Sequence, residues 1–312
     1  MKVASVFPGQ GAQRVGMGVE AYETYPVVRE TFKEASEVLG FDLARLCFEG
    51  PQEELTLTEN AQPAILTLSV ALYRVLNGMG FRPHIVAGHS LGEYSALVAA
   101  GGLPLARAVE AVRYRGRFMQ EAVPHGRGAM AAIIGMDPQR VADLCQEFSS
   151  RGVVEVANYN SPEQTVISGE KEPVEAAAQA ATQWGAKRAI LLEVSAPFHS
   201  SLMAPAREKL RPLLEAMPFS DLVFPLVSNV TAEPVTKGDE ERRLLLDQVT
   251  APVLWTQSVR FIVDQGVQLF VEVGPGNVLS GLVRKIERMV KTVPVADPKG
   301  VEKLRGMGVL DG

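Results

Sequence analysis

Residues Val86–Gly101 read VAGHSLGEYSALVAAG and set one serine, Ser90, between Gly88 and Gly92. A short apolar run enters this stretch, and a run with helical apolar spacing leaves it. Strand, sharp turn and helix in that order make a nucleophile elbow. The turn strains the backbone at the nucleophile, so its neighbours must be small. Glycine gives that room because it has no Cβ. The helix start adds free N–H groups and a positive dipole end near Ser90 Oγ. Leu91 N–H is the natural first donor to an oxyanion there. The competing reading is a capping box, with Ser90 as N-cap and Glu93 three residues on.

A serine hydroxyl is a weak nucleophile until a base takes its proton, and histidine suits that task near neutral pH. The chain has four histidines: His84, His89, His125 and His199. His89 adjoins Ser90, but neighbours on an elbow point apart. His84 follows Pro83 at the start of a buried strand and suits a structural role. His125 sits in VPHGRG. His199, in VSAPFHSSLM, lies on a loop just before a helix, where catalytic bases are common. No Asp or Glu is singled out by spacing as the group that orients the imidazole. A backbone carbonyl or an amide side chain serves equally.

The pattern around the elbow alternates strand and helix. KVASVF (2–7) reads as a strand and PGQG (8–11) as its turn. Residues 17–39 have helical spacing up to Gly40, 61–79 form a strongly apolar helix, and 103–120 form a helix carrying Arg107, Arg113, Arg115 and Arg117. Between 123 and 196 the order becomes βαββαβ, from GAMAAIIG through VVEVANYN and QTVISG to KRAILLEV. FPLVSN and QLFVEV are later buried strands, and GPGN opens a helix through Met289. The expected fold is α/β. A large α/β-hydrolase-like domain with a parallel sheet covers residues 1–122 and 197–312, and a small ferredoxin-like domain is inserted at 123–196.

Composition narrows the function classes. The 312 residues include 31 Lys and Arg against 36 Asp and Glu, a net charge of −5. That balance argues against nucleic acid as a partner. The two cysteines, Cys47 and Cys145, lie in segments of helical spacing and read as buried thiols, with no disulfide framework. No Cys/His cluster has metal-ligand spacing, so no metal is expected. No uncharged apolar run is long enough for a membrane span, and the N-terminal apolar run is short for a signal peptide. A soluble cytoplasmic protein is expected.

Six motifs then coincide in order: FPGQG (7–11), GHSLGEYSAL (88–97), RGRFMQEAVP (115–124), NYNSPEQTVISG (158–169), PFHSSLM (197–203) and EVGPGNVLSGL (272–282). Together they resemble the malonyl-CoA:acyl carrier protein transacylases of fatty acid synthesis and the acyltransferase domains of polyketide synthases. The resemblance runs from about Lys2 to Asp297. It implies a ping-pong transfer through a malonyl ester on Ser90, with acyl carrier protein as partner, malonyl-CoA as substrate and no tightly bound cofactor. It implies that His199 is the general base, and that Leu91 N–H and Gln10 N–H form the oxyanion hole. Arg115 becomes the reader of the malonyl carboxylate, since guanidinium offers two parallel donors. By sequence alone Arg115 resembles the other arginines of its helix.

The resemblance also places Gln248 near the imidazole and Asn160 in a turn bordering the site. It makes Phe198 the bulky neighbour that disfavours an α-methyl group. Arg188, Lys187 and Arg117 are candidates for a basic rim facing an acidic carrier protein. Two other readings compete: a serine hydrolase using the same Ser90–His199 pair, and a non-catalytic binding module.

Overall fold

The computed structural model describes residues 1–310. The final two positions of the expected large domain, 311 and 312, lie outside the described residues. Among the described residues there are ten strands: β1 Lys2–Phe7, β2 Ile85–Gly88, β3 Gly128–Ile134, β4 Val154–Ser161, β5 Gln164–Glu170, β6 Arg188–Leu191, β7 Leu226–Val227, β8 Pro234–Val235, β9 Val267–Val273 and β10 Lys291–Val295. They form a mixed α/β architecture with two sheets.

The first sheet has the order β10-β9-β1-β2-β7-β8. Its pairs are parallel except β7 with β8. Alternate residues of β1 face opposite layers. Val3 and Phe7 pack with Ile65, Leu66, Tyr94 and Leu97, while Ala4 and Val6 pack with Trp255, Val259 and Ile262. A sheet covered on both faces needs strands that are apolar on both sides, and KVASVF and IVAG fit that need. The second sheet has the order β4-β5-β3-β6, and its pairs are antiparallel. Helices Pro138–Phe148 and Lys171–Ala180 supply its apolar cover through Val141, Leu144, Val174 and Ala177. In chain order this gives strand-helix-strand-strand-helix-strand, as the pattern in 123–196 predicts.

The carboxyl ends of the parallel strands gather the functional loops. β1 runs into Pro8–Gly11, β2 into Ser90, and β7 into Ser228 and Asn229. Ligands of open α/β sheets bind outside those ends. The small sheet is tied across them. Tyr159 N–H donates to Val253 O at 2.9 Å, and Val253 N–H donates to Ala157 O at 2.8 Å.

Several boundaries differ from the sequence pattern. The stretch 17–39 is two helices, Val19–Thr24 and Pro26–Leu39. Pro26 forces Tyr25 into an extended conformation (φ −114°, ψ 119°) and ends the first helix. The helix expected to reach Met289 stops at Ile286, where Glu287 turns extended to feed β10. Among the described residues no helix is long and apolar enough to cross a membrane.

Gly92 shows how tightly the elbow is built. A Cβ there would overlap the carbonyls of Phe7 and Pro8, which are backbone atoms and cannot swing away. Gly281, inside helix Val278–Ile286, has open space around it. Urea denaturation should therefore show Gly92→Ala destabilised by about 1–3 kcal/mol. Gly281→Ala should be unchanged or stabilised by up to about 1 kcal/mol. Equal stabilities for the two variants would contradict the close approach of β1 to the elbow.

Candidate active site

Ser90 sits between β2 and helix Leu91–Ala99 with φ 51° and ψ −108°. A positive φ with that ψ is a strained conformation for a non-glycine residue, and such strain collects at functional sites. His199, on the loop returning from the small sheet, also has a positive φ, of 57°. The two meet: Ser90 Oγ lies 2.7 Å from His199 Nε2. His199 Nδ1 lies 3.0 Å from Gln248 O and 3.2 Å from Ala251 O. Carbonyls only accept, so Nδ1 carries the proton, and Nε2 is left to accept the Ser90 hydroxyl proton. The orienting group is thus the backbone, and among the described residues no carboxylate contacts the ring.

The capping-box reading fails on geometry. Ser90 makes no side-chain cap, and its backbone N–H donates to Asn229 Oδ1 at 2.7 Å. Glu93 is fully buried and accepts from Asn229 N–H at 3.2 Å and from Gln248 Nε2 at 2.5 Å. Its carboxylate points into the core rather than back along the helix.

Arg115 is 1 % exposed, unlike the other arginines of helix Leu105–Glu121. Its Nη1 donates to Gln62 Oε1 at 2.9 Å. Its Nη2 donates to Gln248 Oε1 at 2.8 Å and to Ser90 Oγ at 3.1 Å. The guanidinium carbon lies 5.6 Å from the centre of the Tyr94 ring. Among the described residues Arg115 forms no ion pair, and its Nε has no hydrogen-bond partner. A buried cation held only by neutral oxygens and a ring face has charge to spare for an anion.

These groups line a cavity of about 380 Å³ between the two sheets. Gln10, Leu91, Asn160 and Phe198 line it as well. Leu91 N–H and Gln10 N–H have no acceptor among the described residues. The Gln10 side chain donates to Thr58 Oγ1 at 3.2 Å. Asn160 Oδ1 lies 2.8 Å from His89 Nε2, so it joins the small sheet to the residue before the nucleophile. Phe198 packs on the side of Met130, Ala132 and Val166. Gln248 turns its side chain to Arg115 and its carbonyl to His199, so one residue orients both.

All eight sequence candidates therefore converge on one cavity or its wall. Three contributors escape sequence reasoning: Gln62, Asn229 and Glu93 in its inward role. Their partners lie 53 to 155 positions away along the chain. The visible signals are the polar Gln62 inside the apolar run 61–79 and the lone charge of Glu93 in an apolar helix. The basic rim is not as expected at Arg117. That residue pairs with Glu121 at 3.0 Å and lines a separate surface hollow with Arg107 and Arg113. Lys187 and Arg188 are exposed.

Burial, reinforced by the positive charge of Arg115, holds His199 down at about 3, against 6.5 for free imidazole. The ring is neutral across the physiological range and ready to accept a proton. Below pH 6.5 the unfolded chain protonates this histidine and the folded chain does not, so stability is lost as pH falls through that value. NMR of the assigned His199 ring should show no titration step as pH falls through 6.5. A midpoint near 6.5 would remove the argument for a buried, neutral base.

Comparison with known proteins agrees with the geometry. The family described as "Acyl transferase domain" matches residues 5–302. The malonyl CoA-acyl carrier protein transacylase of Bacillus subtilis strain 168 is 50 % identical over 96 % of this chain and 95 % of its own length. That of Escherichia coli K12 is 50 % identical over 96 % and 97 %. Among solved structures, the malonyl CoA-acyl carrier protein transacylase of Coxiella burnetii superposes with TM-score 0.97 at 40 % identity, covering 100 % of this chain and 98 % of its own. A malonyl-transacylase solved in complex with a type II polyketide synthase acyl-carrier protein superposes with TM-score 0.95 at 46 % identity, covering 97 % and 98 %. With its serine, its neutral histidine and its unpaired guanidinium in one cleft, this chain belongs to the acyl transferase family, among the malonyl CoA-acyl carrier protein transacylases.

Proposed function

We propose that this chain transfers the malonyl group of malonyl-CoA to the phosphopantetheine thiol of acyl carrier protein, through an ester on Ser90, in fatty acid biosynthesis. The observation that carries the reading is the buried, unpaired Arg115 guanidinium 3.1 Å from the nucleophile. Ser90 Oγ attacks the thioester carbonyl while His199 Nε2 takes the hydroxyl proton. The oxyanion formed is held by Leu91 N–H and Gln10 N–H. Collapse breaks the C–S bond, and the imidazolium gives its proton to the departing CoA thiolate. The carrier thiol then loses its proton to His199 and attacks the ester, and Ser90 regains its proton as it leaves. Nothing else is consumed, and no tightly bound cofactor enters the cycle.

Arg115 grips the free carboxylate of the malonyl group and so selects a diacid over acetyl. Gln248 positions Arg115, and Asn160 holds His89 beside the nucleophile. Phe198 fills the space an α-methyl group would need, so methylmalonyl is disfavoured. The sheet order of residues 123–196 supports a ferredoxin-like unit inserted in an α/β-hydrolase-like domain formed by 1–122 and 197–312. A cytoplasmic setting suits the carrier-protein partner. A hydrolase reading gains nothing from the site: a neutral ester has no use for Arg115, and His199 leans on carbonyls in place of a carboxylate.

Mass spectrometry after mixing with malonyl-CoA should show a malonyl adduct that Ser90→Ala lacks. Carrier protein should discharge the adduct as malonyl thioester, whereas release of free malonate at the same rate without carrier would favour hydrolysis. Arg115→Ala should lower the ratio of malonyl to acetyl adduct by about 100-fold or more, as expected for removing one partner of a buried ion pair.

A further inference from the structure

Behind the catalytic groups lies a pair of buried acids that the reaction above does not use. Glu93 and Glu241 are both fully buried. Both oxygens of Glu93 accept from Asn229 N–H at 3.2 Å, and Oε2 also accepts from Gln248 Nε2 at 2.5 Å. The two oxygens of Glu241 are buried and meet no hydrogen-bond partner among the described residues. The charge of the neighbouring Glu93 pushes its carboxyl further upward. Two neighbouring carboxyl groups that are both out of water cannot both stay charged, so one of them keeps its proton. That proton belongs on Glu241, because Glu93 is the one served by donors.

Glu93 fixes two amides at once. Gln248 Nε2 faces three acceptors: Glu93, Ser90 O at 3.1 Å and Asn229 Oδ1 at 3.4 Å. Its other end, Oε1, must therefore face Arg115. Asn229, anchored by its own N–H on Glu93, donates through Nδ2 to Gly88 O at 2.6 Å and accepts Ser90 N–H through Oδ1.

We infer that ionised Glu93, kept so by a protonated Glu241, is a positioning residue. It orients the Gln248 amide so that Arg115 is aimed at the substrate carboxylate, and its buried negative charge offsets part of the Arg115 charge one residue removed. Burial pushes both acids upward. The donors from Gln248, Asn229 and Ser228 hold Glu93 to about 7, while the charge on Glu93 pushes Glu241 up further, so Glu241 is the one that keeps its proton. The other charged or titratable groups facing the pair are Arg115, Tyr94 and Glu240. An ionised acid so placed also explains how a guanidinium with no direct carboxylate stays buried.

The inference rests on the proposed malonyl specificity, and the test separates the two. An amide mimics a protonated acid but not an ionised one. Glu93→Gln should lower the malonyl-to-acetyl adduct ratio at Ser90 by about ten-fold, the size of one lost hydrogen bond to a charged group. Glu241→Gln should keep the ratio within about two-fold of the parent enzyme. Unchanged selectivity in Glu93→Gln, or equal loss in both variants, overturns the assignment. A parent enzyme with no malonyl preference overturns the proposed function itself. Should Glu93→Gln not fold, infrared difference spectra of the parent against Glu241→Gln decide. A protonated carboxyl band at neutral pH, lost in the variant, supports the proton on Glu241, and its absence from the parent sinks it.

Discussion

The arrangement depends on a guanidinium that is taken out of water without a carboxylate to meet it. Removing a charge from water costs several kcal/mol, on the order of that reported for any buried ion. Here Arg115 recovers part of that through Gln62, Gln248, Ser90 and the face of Tyr94. The remaining deficit is what a bound anion would relieve, so the site favours a ligand with a carboxylate close to its reacting carbonyl. The same charge also acts on the base. With burial, it keeps His199 neutral, so one cation both reads the substrate and leaves the imidazole free to take a proton.

The fold serves this by delivering short loops from separate strands to one point. Ser90 and His199 both hold positive φ angles, and strained backbone of that kind survives only where packing leaves no alternative. At the elbow the constraint is the closeness of β1, β2 and the following helix. At His199 it is the pair of carbonyls, Gln248 O and Ala251 O, that grip Nδ1. The small sheet closes the cavity and adds Asn160, and the Val253 bridge fixes where that sheet sits.

How much of this was legible in the sequence follows the range of each interaction. Ser90 was readable because its strand, turn and helix are contiguous, and glycines flank it for steric reasons. The βαββαβ order was readable for the same reason. Arg115 was not separable from Arg107, Arg113 and Arg117 by spacing, because what sets it apart is burial against helix Thr58–Gly78 and the elbow. The family resemblance picked it out, and packing gives the cause. Glu93 was visible as a lone charge in an apolar helix, yet local rules pointed it toward a cap. Its true partners come from 136 and 155 positions away. Glu241, inside DEERRLLL, carries no local mark at all, since its neighbours Asp239 and Glu240 look the same in sequence.

The account turns on where the far end of the acyl group goes. A crystal structure of the enzyme trapped as its malonyl-Ser90 ester tests that directly. The account requires the free carboxylate within hydrogen-bonding distance of the Arg115 guanidinium, with the ester carbonyl oxygen turned to Leu91 and Gln10 N–H. A carboxylate lying in solvent or against another residue, with Arg115 still bound only to Gln62 and Gln248, would contradict it.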